Sequence, residues 1–234
     1  MKAFKRIAVF GVVFVTVSAM AMAQSRELTV EESYLQRSIE LMIIREQSRA
    51  PSREMKMISL DFMGNIIERG NRGEELYIAL ESLGLEGIRN QTRENGRLIN
   101  NFPDVRLRAA TQLGQLGTAE ARDILITMLL AENEPMVIAE IIRSLGIIGI
   151  NDNDETAAAI SFIVSRIDIV NPNNILAFST LDAFERLAAA SGGMVSAATI
   201  TMIFRIAEGN YIRPVRDRAR ALLHDLMMLN VVRN

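Results

Sequence analysis

"FPDVRLRAATQLGQLGTAEARDIL", residues 102–125, decides the fold, because residues 133–149, "NEPMVIAEIIRSLGIIG", write its frame again 32 positions later. In each copy a proline opens the segment (Pro103, Pro135) and a valine follows two residues on (Val105, Val137). A Leu-Gly pair lies ten after the proline (Leu113-Gly114, Leu145-Gly146), and a second glycine closes the copy at Gly117 or Gly149. Apolar residues between these marks recur at three- and four-residue steps, the period of a helix with one buried face. Proline suits the first helical turn, where its missing N–H goes unmissed, and glycine suits a left-handed cap at the end.

The same ending occurs a third time at Leu83-Gly84-Leu85-Glu86-Gly87, after "EELYIALES", which places Ala79 in register with Ala109. A weaker echo opens at Pro214-Val215-Arg216. A helical unit of this length cannot bury its apolar face alone, so it must stack on copies of itself. Breakers at Ala50-Pro51-Ser52, Gly70-Asn71-Arg72-Gly73, Asn151-Asp152-Asn153-Asp154, Asn171-Pro172-Asn173-Asn174 and Ser191-Gly192-Gly193 divide the chain. Paired helices are expected over about 30–48 and 52–69, 73–84 and 87–100, 103–116 and 118–132, 135–148 and 154–169, and 173–190 and 194–208. A lone helix over about 212–230 closes the array. The expected fold is all-α: an α-solenoid, a right-handed α–α superhelix of about five helix pairs plus a C-terminal capping helix, with no sheet.

Composition agrees. The chain is 49% apolar, only 5% aromatic and without Trp, and it is rich in good helix formers. Residues 1–23, "MKAFKRIAVFGVVFVTVSAMAMA", have the three parts of a secretory signal: Lys2, Lys5 and Arg6, an apolar run, and Ala21-Met22-Ala23 as a cleavage site before Gln24. The 17 residues from Ile7 to Ala23 just reach the lower limit for spanning a bilayer, so an uncleaved anchor is the alternative. Cleavage removes three cations and no acids from 26 and 28, leaving a formal charge of −5 and arguing against broad nucleic-acid binding. With no cysteine there are no disulfides and no thiolate metal site, so in an oxidising compartment the protein stands on packing alone.

"PDVRLRAATQLGQLGTAEARDIL" resembles the HEAT-like repeat of the phycobilisome-lyase-like kind, whose unit runs Pro-Asp-x-Val-Arg-x-x-Ala-x-x-Ala-Leu-Gly-x-Ile-Gly before a second helix. The likeness covers residues 102–150 well, 73–87 in part and 213–223 loosely. Together with the spacing of the breakers, it gives one expected HEAT-like domain over 24–234, with repeats at about 30–70, 73–101, 103–133, 135–169 and 173–209 and a cap at 212–230. It also implies that Val105, Ala109, Leu113, Val137, Ile141 and Leu145 fill the core between helix layers. Ile138 and Ile142 depart from the pattern, where polar or small residues are common, and the fifth unit lacks the Leu-Gly ending.

Chemistry-bearing motifs are scarce. The single histidine, His224, lies with Arg213, Arg216 and Arg220 along one side of the last helix, as a solvated capping face would. "NDNDE" at 151–155 imitates the start of a calcium loop, but Ala157 stands where the turn needs glycine and Ile163 where the bidentate Glu belongs. No G-x-S-x-G, HExxH, P-loop or dinucleotide fingerprint is present. No catalytic residue, metal or cofactor is assigned. The stretch "GIRNQTRENGRLINN", 87–101, stands apart: from Ile88 to Asn101 only Ile88, Leu98 and Ile99 are apolar. As a helix it would set Arg89, Arg93 and Arg97 in one ridge, and guanidinium groups grip carboxylates well. As a loop broken at Asn95-Gly96 it would be solvated surface.

These readings converge on an exported, periplasmic, non-enzymatic scaffold that binds another cell-envelope protein through its concave face. The expected partner offers an acidic segment to Arg89, Arg93 and Arg97; no nucleic acid and no small-molecule substrate is expected. A membrane- or cell-wall-tethered structural protein is the alternative if the signal is kept. A lyase-type enzyme, which the resemblance also allows, has export, the missing cysteine and the missing acid–base pair against it.

Overall fold

The computed structural model describes residues 30–168, 172–192 and 196–233. The signal segment and its cleavage site lie outside the described residues. Contacts divide the chain into Met1–Met42 and Ile43–Asn234. In the first unit the described part is the opening of helix α1 (Val30–Ser48), which runs across the division. The repeat array belongs to the second.

Proline, glycine and short polar side chains set the helix limits there. Helix α2 (Arg53–Glu68) and helix α3 (Glu74–Gly84) are followed by α4 (Pro103–Leu116), α5 (Ala119–Ala131), α6 (Pro135–Ile148), α7 (Glu155–Asp168), α8 (Asn174–Ala190), α9 (Ala197–Glu208) and α10 (Arg213–Arg233). Pro103 and Pro135 occupy first turns, and Gly117 and Gly149 end α4 and α6 in the left-handed conformation at φ 68° and 71°. Side chains cap other helices: Thr118 accepts from the Ala121 N–H, Asn173 from Ile175 and Leu176, and Ser196 from Thr199. The Asn/Asp-rich turn works likewise, Asn151 Oδ1 accepting from the Ala157 N–H.

The helices form two layers. Helices α2, α4, α6 and α8 pack side by side in one, and α3, α5, α7 and α9 in the other; α10 closes the stack against α8 and α9. Val105, Ala109, Leu113 and their equivalents Val137, Ile141 and Leu145 are all 1% exposed or less. Ile138 and Ile142 are equally buried, because α6 is sandwiched between α4 and α8 and needs apolar residues on both flanks. Burying each such side chain contributes about 1.5–3 kcal/mol. On α10, Arg220 pairs with Glu208 and Asp217, Arg213 with Asp217, and His224 lies exposed beside Asp225, as a polar end face requires.

The two glycines of the repeated ending do different work. A Cβ on Gly114 would meet Ser144 at 2.8 Å, and one on Gly146 would meet the Ala183 backbone at 2.7 Å, so the first glycine lets neighbouring helices of one layer touch. The second supplies the left-handed turn. In α3 the pair serves the same ends: a Cβ on Gly84 would strike Met128 of α5, and Gly87 adopts φ 74°.

One expectation fails. Residues 87–100 do not form a helix, so the described residues contain ten α-helices, and a small hairpin is present: β1 (Arg93–Glu94) pairs antiparallel with β2 (Arg97–Leu98). The physical reason is Asn95-Gly96. Both residues take positive φ, 49° and 79°, the turn that closes a two-residue hairpin in step with strand twist. With only three apolar residues in fourteen, a helix here could bury little against its neighbours. The pairing shifts in consequence. Helix α2 lies in the layer of α4 and pairs with α3, so residues 85–102 link two repeats instead of forming half of one.

Candidate interaction surface

The link 85–102 is long where the links at 132–134 and 209–212 are short. Most connections in compact domains run only a few residues, and binding residues concentrate on long exposed ones. Its base is fixed. Gly87 is crossed by the returning chain, so that a Cβ there would lie 2.5 Å from the Asn100 carbonyl oxygen. Buried Asn100 accepts from the Thr92 N–H at 2.8 Å and donates to the Asn90 carbonyl at 2.7 Å, clamping the two arms.

Beneath the hairpin a chain of charges ties four helices together. Lys56 of α2, the only lysine after residue 5, is 3% exposed and pairs with Glu86 at 2.8 Å while donating to the Ser48 carbonyl. Arg106 of α4, equally buried, binds Glu132 through two nitrogens, Nε at 2.7 Å and Nη2 at 3.3 Å. Its Nη1 donates to the Glu86 carbonyl and to Asn101 Oδ1. Glu132 also accepts from the Asn133 and Glu134 N–H groups, and Arg166 of α7 donates to its carbonyl. The guanidinium nitrogens of Arg106 thus all meet protein acceptors, so the network positions the hairpin. The cleft beside it, about 260 Å³ and lined by Ile88, Gln91, Asn101 and Glu132, is smaller than a usual ligand pocket.

The three arginines are all exposed but form no helical ridge. Cross-strand partners share a face and successive residues alternate, so Arg97 stands with Glu94 on one face while Arg93 stands with Leu98 on the other. Arg93 folds back on its own hairpin, donating to the Gly96 carbonyl and to Gln91 Oε1. Arg89 precedes both strands. What the structure brings together is a charged arm with arginines on both sides, apart from the layer of second helices.

The two helix layers differ in how they use charge. On the first, Arg53–Asp104 and Arg108–Asp61 join α2 to α4, Thr111–Glu140 joins α4 to α6, and Arg218–Glu185 joins the closing helix α10 to α8. On the second, a groove of about 290 Å³ lies between α3 and α5. Tyr77 and Ile124, nearly buried, belong to its lining, as do exposed Ile78 and the carboxylates of Glu81, Glu120 and Asp123. Asp123 is neutralised at 2.6 Å by Arg122, which also reaches Asp152. Burial acts to lower the Arg122 pKa, but its bond to Asp123 and the charges of Asp123, Asp152 and Glu155 outweigh that and raise it above the ordinary value. Neither the network nor this groove was foreseen from the sequence, since both depend on which helices become neighbours.

Two layers of paired helices with equivalent residues in equivalent core positions define a helical-repeat protein, an α-solenoid. Within it, residues 97–168 match the family model for HEAT repeats, so this stretch of the array is built of HEAT repeats. No curated protein matches the chain.

Proposed function

We propose that this protein is an exported, non-enzymatic scaffold that binds another protein of the cell envelope, with the hairpin of residues 85–102 as its gripping arm. The observation that carries the reading is the contrast within that link: a base held by buried Asn100, Lys56–Glu86 and Arg106–Glu132, and a tip that exposes Arg89, Arg93 and Arg97. The tip's side chains are exposed, and arginines held on an anchored arm suit charge-assisted contacts with an acidic segment. HEAT repeats commonly serve protein–protein interaction, which favours a binding role over catalysis. The tripartite leader supports export to the periplasm, with processing between Ala23 and Gln24. Among the described residues no helix is long and apolar enough to cross a membrane.

The test is a triple Arg89→Gln, Arg93→Gln, Arg97→Gln variant, used as bait beside the unaltered protein in an envelope extract after its melting is shown to be unchanged. Partners held by the arm should be lost selectively. Recovery of every partner at full yield overturns the assignment of the arm. Intact mass of the exported fraction tests localisation, and retention of Met1 there would refute processing.

A further inference from the structure

We infer that the groove between α3 and α5 is a second docking site, shaped for a basic amphipathic segment of a protein partner. Three observations carry this. First, Ile78 is 57% exposed beside Tyr77 and Ile124, so the groove keeps apolar surface in water that the array has not covered. Second, Glu81 and Glu120 flank that surface from the two helices, and among the described residues no ion pair involves either. The face formed by the first layer behaves otherwise: Asp61, Asp104, Glu140, Asp182 and Glu185 there each have an arginine partner, on the same helix or on a neighbour.

Third, Glu81 sits in the last turn of α3, where no basic residue stands beside it. A carboxylate near a helix C-terminus opposes the helix dipole and lowers helix stability. Glu120 lies in the first turn of α5 and gains from that helix's dipole, but Glu81 has no such compensation. A cationic partner would repay it.

The occupant follows from charge and shape. A segment with a leucine- or isoleucine-type residue for the Ile78–Ile124 surface, flanked by lysine or arginine for Glu81 and Glu120, satisfies both parts of the lining. It must differ from whatever the arginine hairpin holds, because the two sites have opposite sign. This site does not depend on that arm, so either can fail alone.

The experiment is fluorescence anisotropy of the purified protein with a labelled helical peptide of about 15 residues, leucines on one face and lysines and arginines beside them. A peptide of the same composition with the face scrambled, and an acidic counterpart, are the controls. Expected are saturable binding of the first peptide, weakening with salt, and a loss of about tenfold for Glu81→Gln/Glu120→Gln and for Ile78→Ser. All three substituted positions are exposed, so folding is preserved, and Glu81→Gln should leave the melting temperature unchanged or raised. Arg93→Gln/Arg97→Gln should bind the peptide as the unaltered protein does. Equal binding by the double Glu variant, or by the scrambled peptide, overturns the proposal. So does sedimentation showing self-association that both the Glu and the Arg variants abolish, since the groove would then hold the hairpin of a second copy.

Discussion

Replacing Glu132 by Ala strands the Arg106 guanidinium, and the size of the effect tests whether the buried network holds the hairpin. Arg106 is 3% exposed and Glu132 2%, so neither can turn to water without local opening. The substitution removes two charge-assisted bonds from Arg106 and the acceptor for the Asn133 and Glu134 N–H groups. Those two residues are exposed and can bond water instead, so most of the loss is the uncompensated buried charge, about 3–5 kcal/mol. In a chain of this size each kcal/mol lowers the melting temperature by about 2–4 °C, giving a fall of about 6–20 °C. Because repeats can unfold separately, scanning calorimetry should be paired with hydrogen exchange at the Ile99 and Thr92 amides, which report the hairpin itself. Those amides should exchange faster in Glu132→Ala than the lower global stability alone explains. The double variant Arg106→Met/Glu132→Leu should recover much of the loss, since apolar residues of similar volume often replace a buried pair at little cost. If Glu132→Ala melted within about 1 kcal/mol of the unaltered protein, the pair would behave as a surface ion pair and the anchoring inferred for the hairpin would be wrong.

Leu113→Ala and Leu145→Ala, at equivalent fully buried positions, should each lose about 2–5 kcal/mol in denaturant titration, with the transition splitting if the array uncouples. Gly114→Ala and Gly146→Ala force a methyl group against α6 and α8 respectively and should cost about 1–3 kcal/mol, more at Gly146, where the obstacle is Ala183 backbone. Gly117→Ala, which meets nothing within 4 Å, should cost only the left-handed conformation, about 1–2 kcal/mol, and differential melting of these glycine variants separates the two roles. Gly96→Val should melt the hairpin, seen as fast exchange at Ile99, while leaving the global melting curve in place. In the protein processed after Ala23, Lys56 is the only lysine and is buried, so amine-reactive reagents should spare it until the fold opens. Prompt modification of Lys56 under native conditions, read by mass spectrometry, would contradict its pairing with Glu86.

The repeated Pro…Leu-Gly-x-x-Gly frame was enough to read the helical class, the limits of α4 and α6 and the core residues from Val105 to Leu145, because these are local matters. Helical period, proline at a first turn and glycine at a cap are all set within a few residues along the chain. The arginine-bearing stretch was also legible as unusual, and Asn95-Gly96 held the signal for its true form. Tertiary structure decided the rest. Leu83–Gly87 carries the same ending as the other copies, and a local reading made α3 a first helix; packing of α2 beside α4 made it a second one. That one change turned residues 85–102 into a link and put Arg93 and Arg97 on opposite faces. It also set Glu81 across a groove from Glu120, 39 positions away in sequence. Spacing along one helix reports which residues share its face, but which face meets which neighbour is fixed only when apolar surface from distant segments is buried together. The Lys56–Glu86 and Arg106–Glu132 pairs and the α3–α5 groove all arise at that step.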